Sequence, residues 1–197
     1  MASSLAKAGI NPNTISVFST VFAMAGAVTL LCIPSCTTLV TRAELLIATV
    51  AAIQLRLLCN LLDGMVAIEC GMKTKSGEIF NELPDRISDS LLLVAGGYAI
   101  PQSFGAAFGW AAALLAVMTA YVRVLGAATG TAHHFFGPMA KQQRMAVLTT
   151  ACLVALYENH REWHGYTFTA ALTLIILGSI VTVIRRTLRI VKDLEAK

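Results

Sequence analysis

Long apolar runs constrain this chain more than any other feature. Windows of about 20 largely uncharged residues are the length that crosses a hydrocarbon core. Six can be placed, at about 14–34, 44–64, 81–101, 105–128, 143–160 and 165–185. Charged residues make up only 13% of the 197 residues, against about a quarter in ordinary soluble domains. The pattern predicts an all-α integral membrane bundle of six transmembrane helices, preceded by a short N-terminal interfacial segment. The loops leave no room for a separate soluble module, so residues 1–197 read as a single membrane domain. The opening "MASSLAKAGI" is mildly polar, and the run after "NPN" is long enough to stay as a helix, which argues against a cleaved signal peptide.

Short loops rich in Lys and Arg stay on the cytosolic side. Six spans with both ends inside place Lys7, Lys73, Lys75, Lys141, Arg144, Arg185, Arg186, Arg189, Lys192 and Lys197 there, and leave Arg42 and Arg161 outside. The net charge of +4 is thus an orientation signal, and basic residues beside anionic headgroups explain it without nucleic acid. The expected location is an inner, cytoplasmic membrane of bacterial type, with the polar junctions facing the cytosol. The five cysteines show no metal-ligand spacing. Cys59, Cys70 and Cys152 read as small packing residues, and Cys32 and Cys36, near the expected outer face, as free thiols, with pairing in an oxidising compartment as the alternative. "GINPNT" and "FFGPM" are helix-start punctuation.

The stretch "NLLDGMVAIECGMKTKSGEIFNELPDRISD" breaks this apolar monotony, holding six of the chain's eleven acids. Asn60, Asp63 and Ala67 recur at steps of three and four, and share one face of the second helix. Asn81, Asp85 and Asp89 step by four and share a face of the third, with Pro84 expected near that helix's beginning. A carboxylate within a span costs about 2.5–3.5 kcal/mol on insertion scales, which makes it a functional candidate. Glu69, Glu78 and Glu82 read as solvated acids at helix ends. Asp63 and Asp85 read instead as oxygen ligands for a hard cation, of the kind that holds substrate phosphates.

These residues resemble the signature of the CDP-alcohol phosphotransferase family, D-x2-D-G-x2-A-R-x8-G-x3-D-x3-D. The matching positions are Asn60, Asp63, Gly64, Ala67, Ile68, Gly77, Asn81 and Asp85. The spacing is kept throughout, and Asp63, Gly64, Ala67, Gly77 and Asp85 carry the family residue. The resemblance implies transfer of a phospho-alcohol group from a CDP-linked donor to a hydroxyl, with release of CMP and Mg2+ or Mn2+ at the aspartates. By position it assigns metal to Asn60, Asp63, Asn81 and Asp85, with Asp89 as further charge, and makes Asp85 the candidate general base. It assigns the nucleotide to Gly64, Ala67 and Gly77. Pro12, Asn13 and Thr14, which resemble the family's opening motif, are placed near the same nucleotide.

Three departures bear on that assignment. Asn60 and Asn81 stand where the family has aspartates, and Ile68 where it has arginine. Each Asp-to-Asn exchange removes a negative charge, so one divalent ion is expected rather than two in close contact. Arg56 or Arg86 is positioned to replace the missing arginine, and Arg56 equally to be an ion-pair partner. Arg123 in the fourth span, with Lys141 and Arg144 at the start of the fifth, resembles the branch of the family that makes phosphatidylinositol phosphate. These cations suit a phosphate-bearing acceptor; for Lys141 and Arg144 the alternative is a positive-inside anchor.

The expected activity is therefore transfer of a phosphatidyl group from CDP-diacylglycerol to a small polar alcohol or alcohol phosphate, of the inositol phosphate or glycerol phosphate type. The family resemblance also implies a homodimer. Two other readings share the metal site: transfer of a CDP-linked small alcohol to a lipid hydroxyl, and a non-catalytic lipid- or nucleotide-binding protein. A transporter would need polar residues spread through several spans, whereas here they cluster at one junction. His133 and His134 read as interfacial. His160, Trp163, His164 and Tyr166 read as an anchoring belt.

Overall fold

The computed structural model describes residues 11–69, 76–132, 134–161 and 163–196, with only the backbone for Glu69. The expectations for Lys7, Glu69, Cys70, Lys73, Lys75, His133, Lys197 and the N-terminal interfacial segment lie outside the described residues. Among those residues the structure is all helical. In chain order the α-helices are α1 (Pro12–Cys32), α2 (Leu39–Glu69), α3 (Gly77–Tyr98), α4 (Gly105–Ala128), α5 (Lys141–Asn159) and α6 (Tyr166–Glu195), with a short 3-10 turn at Ile33–Ser35. Four of them, α1, α2, α4 and α6, are long and apolar enough to cross a membrane. The shorter of the other two, α5, is 19 residues long. Helix α3 carries Glu78, Glu82, Asp85, Arg86 and Asp89 among its first thirteen residues.

The starts of α1 and α6 have local causes. Asn11 caps α1, its side chain accepting from the Asn13 N–H at 3.1 Å, and Pro12 follows at the first helical position, where its missing N–H costs nothing. Helix α3 begins at Gly77, earlier than the apolar window suggested, so Pro84 lies inside the helix and not near its first turn. Helix α6 starts after Gly165, whose φ of +71° is left-handed. Glu158, from the end of α5, reaches across to that start. Its Oε1 accepts from Tyr166 N–H at 2.9 Å and His164 N–H at 3.2 Å, and its Oε2 from Thr167 N–H at 3.0 Å. Two of these donors belong to the first turn of α6 and have no partner within the helix.

Helix α1 packs on α2 and α3, α3 on α4, α4 on α6, and α5 joins α2 to α6. Where α3 meets α4 the backbones touch. A Cβ on Gly97 would lie 2.6 Å from Gly109 Cα, and one on Gly109 would lie 2.8 Å from Val94 O. Small residues at a crossing permit this approach, the usual way helices associate in lipid. The apolar core centres on Leu30, Ile53, Leu92, Leu148, Phe168 and Leu172. Cys152 is buried within it, and Cys32, Cys36 and Cys59 are free thiols like it. The outer surface is apolar, with Phe18, Val28, Leu114 and Leu177 all exposed, while Arg56, Asp63, Asp85, Asp89 and Arg144 are buried. Such an inside-out distribution suits a lipid solvent, where ionisable groups turn toward the bundle interior.

Candidate active site

Polar residues of all six helices gather where α2 ends and α3 begins. Arg56, Asn60 and Asp63 follow one another at steps of four and three on α2, and α3 answers with Asn81, Asp85 and Asp89 at steps of four. Asp85 lies between them. Its Oδ1 accepts from Asn60 Nδ2 at 3.0 Å and from Arg56 Nη2 at 3.4 Å, and its Oδ2 is paired with Lys141 Nζ. Arg86 Nη2 stands 3.9 Å from the same Oδ2. One turn deeper, Asp89 is held from both sides, by Arg56 Nη2 and Arg144 Nη2, each at 2.7 Å.

A cavity of about 610 Å³ opens beside Asp85. Asn60, Asn81, Glu82, Asp85, Arg86, Arg123, Lys141, Gln142, Arg144 and Arg186 supply its charged and amide lining, so five cations face two carboxylates. The surplus is positive, and it suits an anion. Arg123 Nη2 pairs with Glu82 at 2.6 Å, and its guanidinium lies 4.8 Å from the centre of the Phe135 ring. Arg186 holds the segment before α5 in place. It donates to the carbonyls of Phe136 at 2.9 Å, Phe135 at 3.1 Å and Thr119 at 2.6 Å. Buried guanidinium nitrogens near the site remain without a partner, among them Arg56 Nε and Nη1, Arg86 Nε and Arg144 Nε.

The structure thus brings Asn60, Asn81, Asp85, Arg123, Lys141 and Arg144 onto one cavity. It does not place Asp63, Gly64, Ala67, Gly77, Pro12, Asn13 or Thr14 on that lining. Asp63 is buried at the contact with α1, where its Oδ2 accepts from the Ser16 hydroxyl at 2.5 Å. That bond ties the helix opened by Pro12, Asn13 and Thr14 to the face that carries the acids. At Gly64 an added Cβ would meet nothing within 4 Å, so the backbone there is openly accessible. Asp89 is not on the lining, and both its oxygens are engaged by arginine. In this structure it is the counter-ion of Arg56 and Arg144.

A family model for CDP-alcohol phosphatidyltransferase matches residues 10–184. The chain belongs to the CDP-alcohol phosphatidyltransferase family. Similar solved structures include the phosphatidylinositol phosphate synthase of Mycobacterium tuberculosis with CDP-DAG bound. Its TM-score is 0.76 at 19% identity, over 96% of this chain and 90% of that one. The same enzyme in complex with manganese and citrate gives a TM-score of 0.77 at 20% identity, over 96% and 86% of the two chains. At such identities the likeness is one of fold. Inner membrane protein YnbA of Escherichia coli (strain K12) is 28% identical over 127 residues, covering 64% of this chain and 62% of that relative.

In this CDP-alcohol phosphatidyltransferase-family chain, two carboxylates and two amides occupy the motif's acidic positions. Asn60 turns its amide nitrogen toward Asp85, and among the described residues no three of His, Cys, Asp and Glu gather as a metal-binding group. Such a set fits one hard divalent cation completed by substrate oxygens, and does not by itself fit two. Three residues of the site escaped the sequence reading. Ser16 gave no signal in an apolar helix. Arg186 looked like one more cation of the basic C-terminal segment. Glu82 was read as a solvated acid, although a half-buried Arg123 calls for an acidic partner and Glu82 lies one turn before Asp85 and Arg86. His134, read as interfacial, is paired with Asp193 at 2.8 Å.

Proposed function

We propose that this protein transfers a phosphatidyl group from CDP-diacylglycerol to the hydroxyl of a small polar acceptor that carries a phosphate, in phospholipid synthesis. One observation carries the proposal. Asp85, at the last acidic position of the family motif, lines a cavity whose remaining charge is predominantly cationic. The acceptor hydroxyl attacks the phosphorus that bears diacylglycerol, Asp85 takes the hydroxyl proton, and the bond to the cytidine-side oxygen breaks to release CMP. Arg123 and Lys141, with Arg186 beside them, orient the acceptor phosphate, as charge-assisted donors do. Gly64, Ala67 and Gly77, with Pro12, Asn13 and Thr14, surround the nucleotide. Asn60, Asp63, Asn81 and Asp85 would hold Mg2+ or Mn2+, which when bound neutralises the donor's diphosphate.

In the same proposal all six helices cross the membrane as one domain spanning residues 1–197. The site opens to the cytosol and the protein is a homodimer. The fold likeness to an enzyme described with CDP-DAG bound, and with manganese and citrate in a second structure, supports the donor and the cation. The test is CMP release by purified protein in detergent with Mn2+ or Mg2+, CDP-diacylglycerol and a panel of acceptors. Inositol phosphate and glycerol phosphate are expected to outperform inositol, serine and glycerol. Release from a CDP-linked small alcohol and diacylglycerol instead would reverse donor and acceptor. Donor binding without any release would leave a binding protein, the reading that Asn60 and Asn81 favour.

A further inference from the structure

Asp85 and Asp89 stand one turn apart on α3, yet they are neutralised by different kinds of partner. The cations on Asp89 are fixed. Arg56 and Arg144 have side chains 0% and 1% exposed, and Arg144 is further held by the Thr119 hydroxyl at 3.2 Å and the Met139 carbonyl at 2.9 Å. The cation on Asp85 Oδ2 is Lys141, 22% exposed and itself part of the cavity wall. A lysine ammonium is a point charge on a flexible four-carbon stem, without the planar fork that locks a guanidinium in place.

The two oxygens of Asp85 also differ. Oδ1 is occupied from the protein side by Asn60 and Arg56. Oδ2 is covered by Lys141, and the next nearest cation, Arg86, is 3.9 Å away. A carboxylate has about four lone-pair positions, so withdrawal of Lys141 alone would open Oδ2 to a proton or a cation. Asp85 would still be held by Oδ1. The same cavity contains Arg123 and Arg186, so an anion entering it meets a field that already favours it and competes for the lysine.

We propose that Lys141 is an anion-released cover on Asp85. Its ammonium rests on Oδ2 in the free protein and moves to the phosphate of an entering acceptor, which frees Oδ2 for the acceptor's hydroxyl proton or for a divalent cation. The order matters chemically. Before the acceptor arrives, the group that would activate a hydroxyl is capped, so a bound donor is not presented with an activated water. Discrimination between acceptors follows as well, because an alcohol without an anionic group has nothing with which to draw Lys141 away. The acceptor's identity rests on the proposed function, whereas the coupling needs only an anion and a cation.

Linkage makes the idea measurable: an anion that removes Lys141 from Asp85 must strengthen divalent-cation binding there, and the cation must strengthen the anion by the same factor. The experiment titrates full-length protein in detergent with Mn2+, following free Mn2+ by its paramagnetic resonance signal, with and without sulfate as a tetrahedral anion that complexes Mn2+ weakly. In the unaltered protein sulfate should tighten Mn2+ binding by about tenfold. Lys141→Met should bind Mn2+ tightly without sulfate and change by less than about twofold when it is added. Lys141→Gln serves the same purpose should the methionine variant fail to elute as a single species. Mn2+ affinity indifferent to sulfate in the unaltered protein overturns the proposal. So does a full sulfate effect in both variants, or no Mn2+ binding under either condition. No CDP-linked donor is present, so a protein that shows the linkage but releases no CMP defeats only the functional reading. One that releases CMP without the linkage defeats only this inference.

Discussion

Arg56 Nη2 lies 2.7 Å from Asp89 Oδ1, and both side chains are withdrawn from solvent between α2 and α3. The pair is joined to the cavity wall, because the same guanidinium nitrogen also reaches Asp85 Oδ1 at 3.4 Å. Removing one member of a buried pair leaves an uncompensated charge and costs about 3–5 kcal/mol, while replacing both by apolar groups is often neutral. Asp89→Leu should therefore destabilise the protein severely, since Arg144 loses its carboxylate and Arg56 keeps only the longer contact to Asp85. Arg56→Met should be milder, since Arg144 remains on Asp89 Oδ2. The loss of folded protein on heating in detergent, read by size exclusion, ranks the variants. Equal stability of Asp89→Leu and the unaltered chain would show that this pair holds nothing.

Asp85 is the proposed base, and its replacement separates chemistry from folding. Asp85→Asn keeps the shape and can still meet Asn60 and Lys141, so the variant should remain folded. A positioned general base contributes about 10²–10⁴-fold, and CMP release should fall by at least the lower figure. Chelation with EDTA should silence the unaltered protein to a similar extent, and added Mn2+ should restore it. Full activity of Asp85→Asn in the CMP assay removes the assignment.

The helix pattern was legible because apolar periodicity and length are local properties of the sequence. The window at 105–128 coincides with α4, and Asn11 and Pro12 announce the start of α1. What could not be read was where helices continue past the apolar runs. Helix α6 runs on through Arg185, Arg189 and Lys192 to Glu195, since Lys and Arg are good helix formers even where they end a span. In the site, the spacing of Asn60, Asp63, Asn81 and Asp85 foretold which helices would face each other. Partnership was not foretold. Whether Arg123 pairs with Glu82, or Arg144 with Asp89, depends on how α4 and α5 sit against α3, and no spacing within one helix encodes that.

Glu158 offers a test of a tie far from the site. Its carboxylate satisfies the N–H groups of Tyr166 and Thr167 at the start of α6, and removal of such a cap costs about 1 kcal/mol. Glu158→Ala should lower the thermal midpoint in detergent by a few degrees, on the order of what 1 kcal/mol produces in a domain of this size. CMP release at low temperature should be unchanged. A variant that loses activity while keeping its thermal midpoint would assign Glu158 a different role.

The two amides in the motif give the most direct measure of how charge sets cation binding here. Asn60→Asp places a second carboxylate against Asp85 Oδ1, where the amide now donates, and Asn81→Asp adds one on the cavity wall. Like charges in close contact repel unless a cation lies between them, so the double variant should both need and hold divalent ions more strongly. Mn2+ affinity should rise by about an order of magnitude, the factor that 1.4 kcal/mol of added attraction supplies. Without metal the same variant should be less heat-stable than the unaltered chain, and the addition of Mn2+ should reverse that order by mass action. If Mn2+ neither binds the double variant more tightly nor protects it from heat, the oxygens of α2 and α3 do not share a cation, and the charge at these positions serves the fold alone.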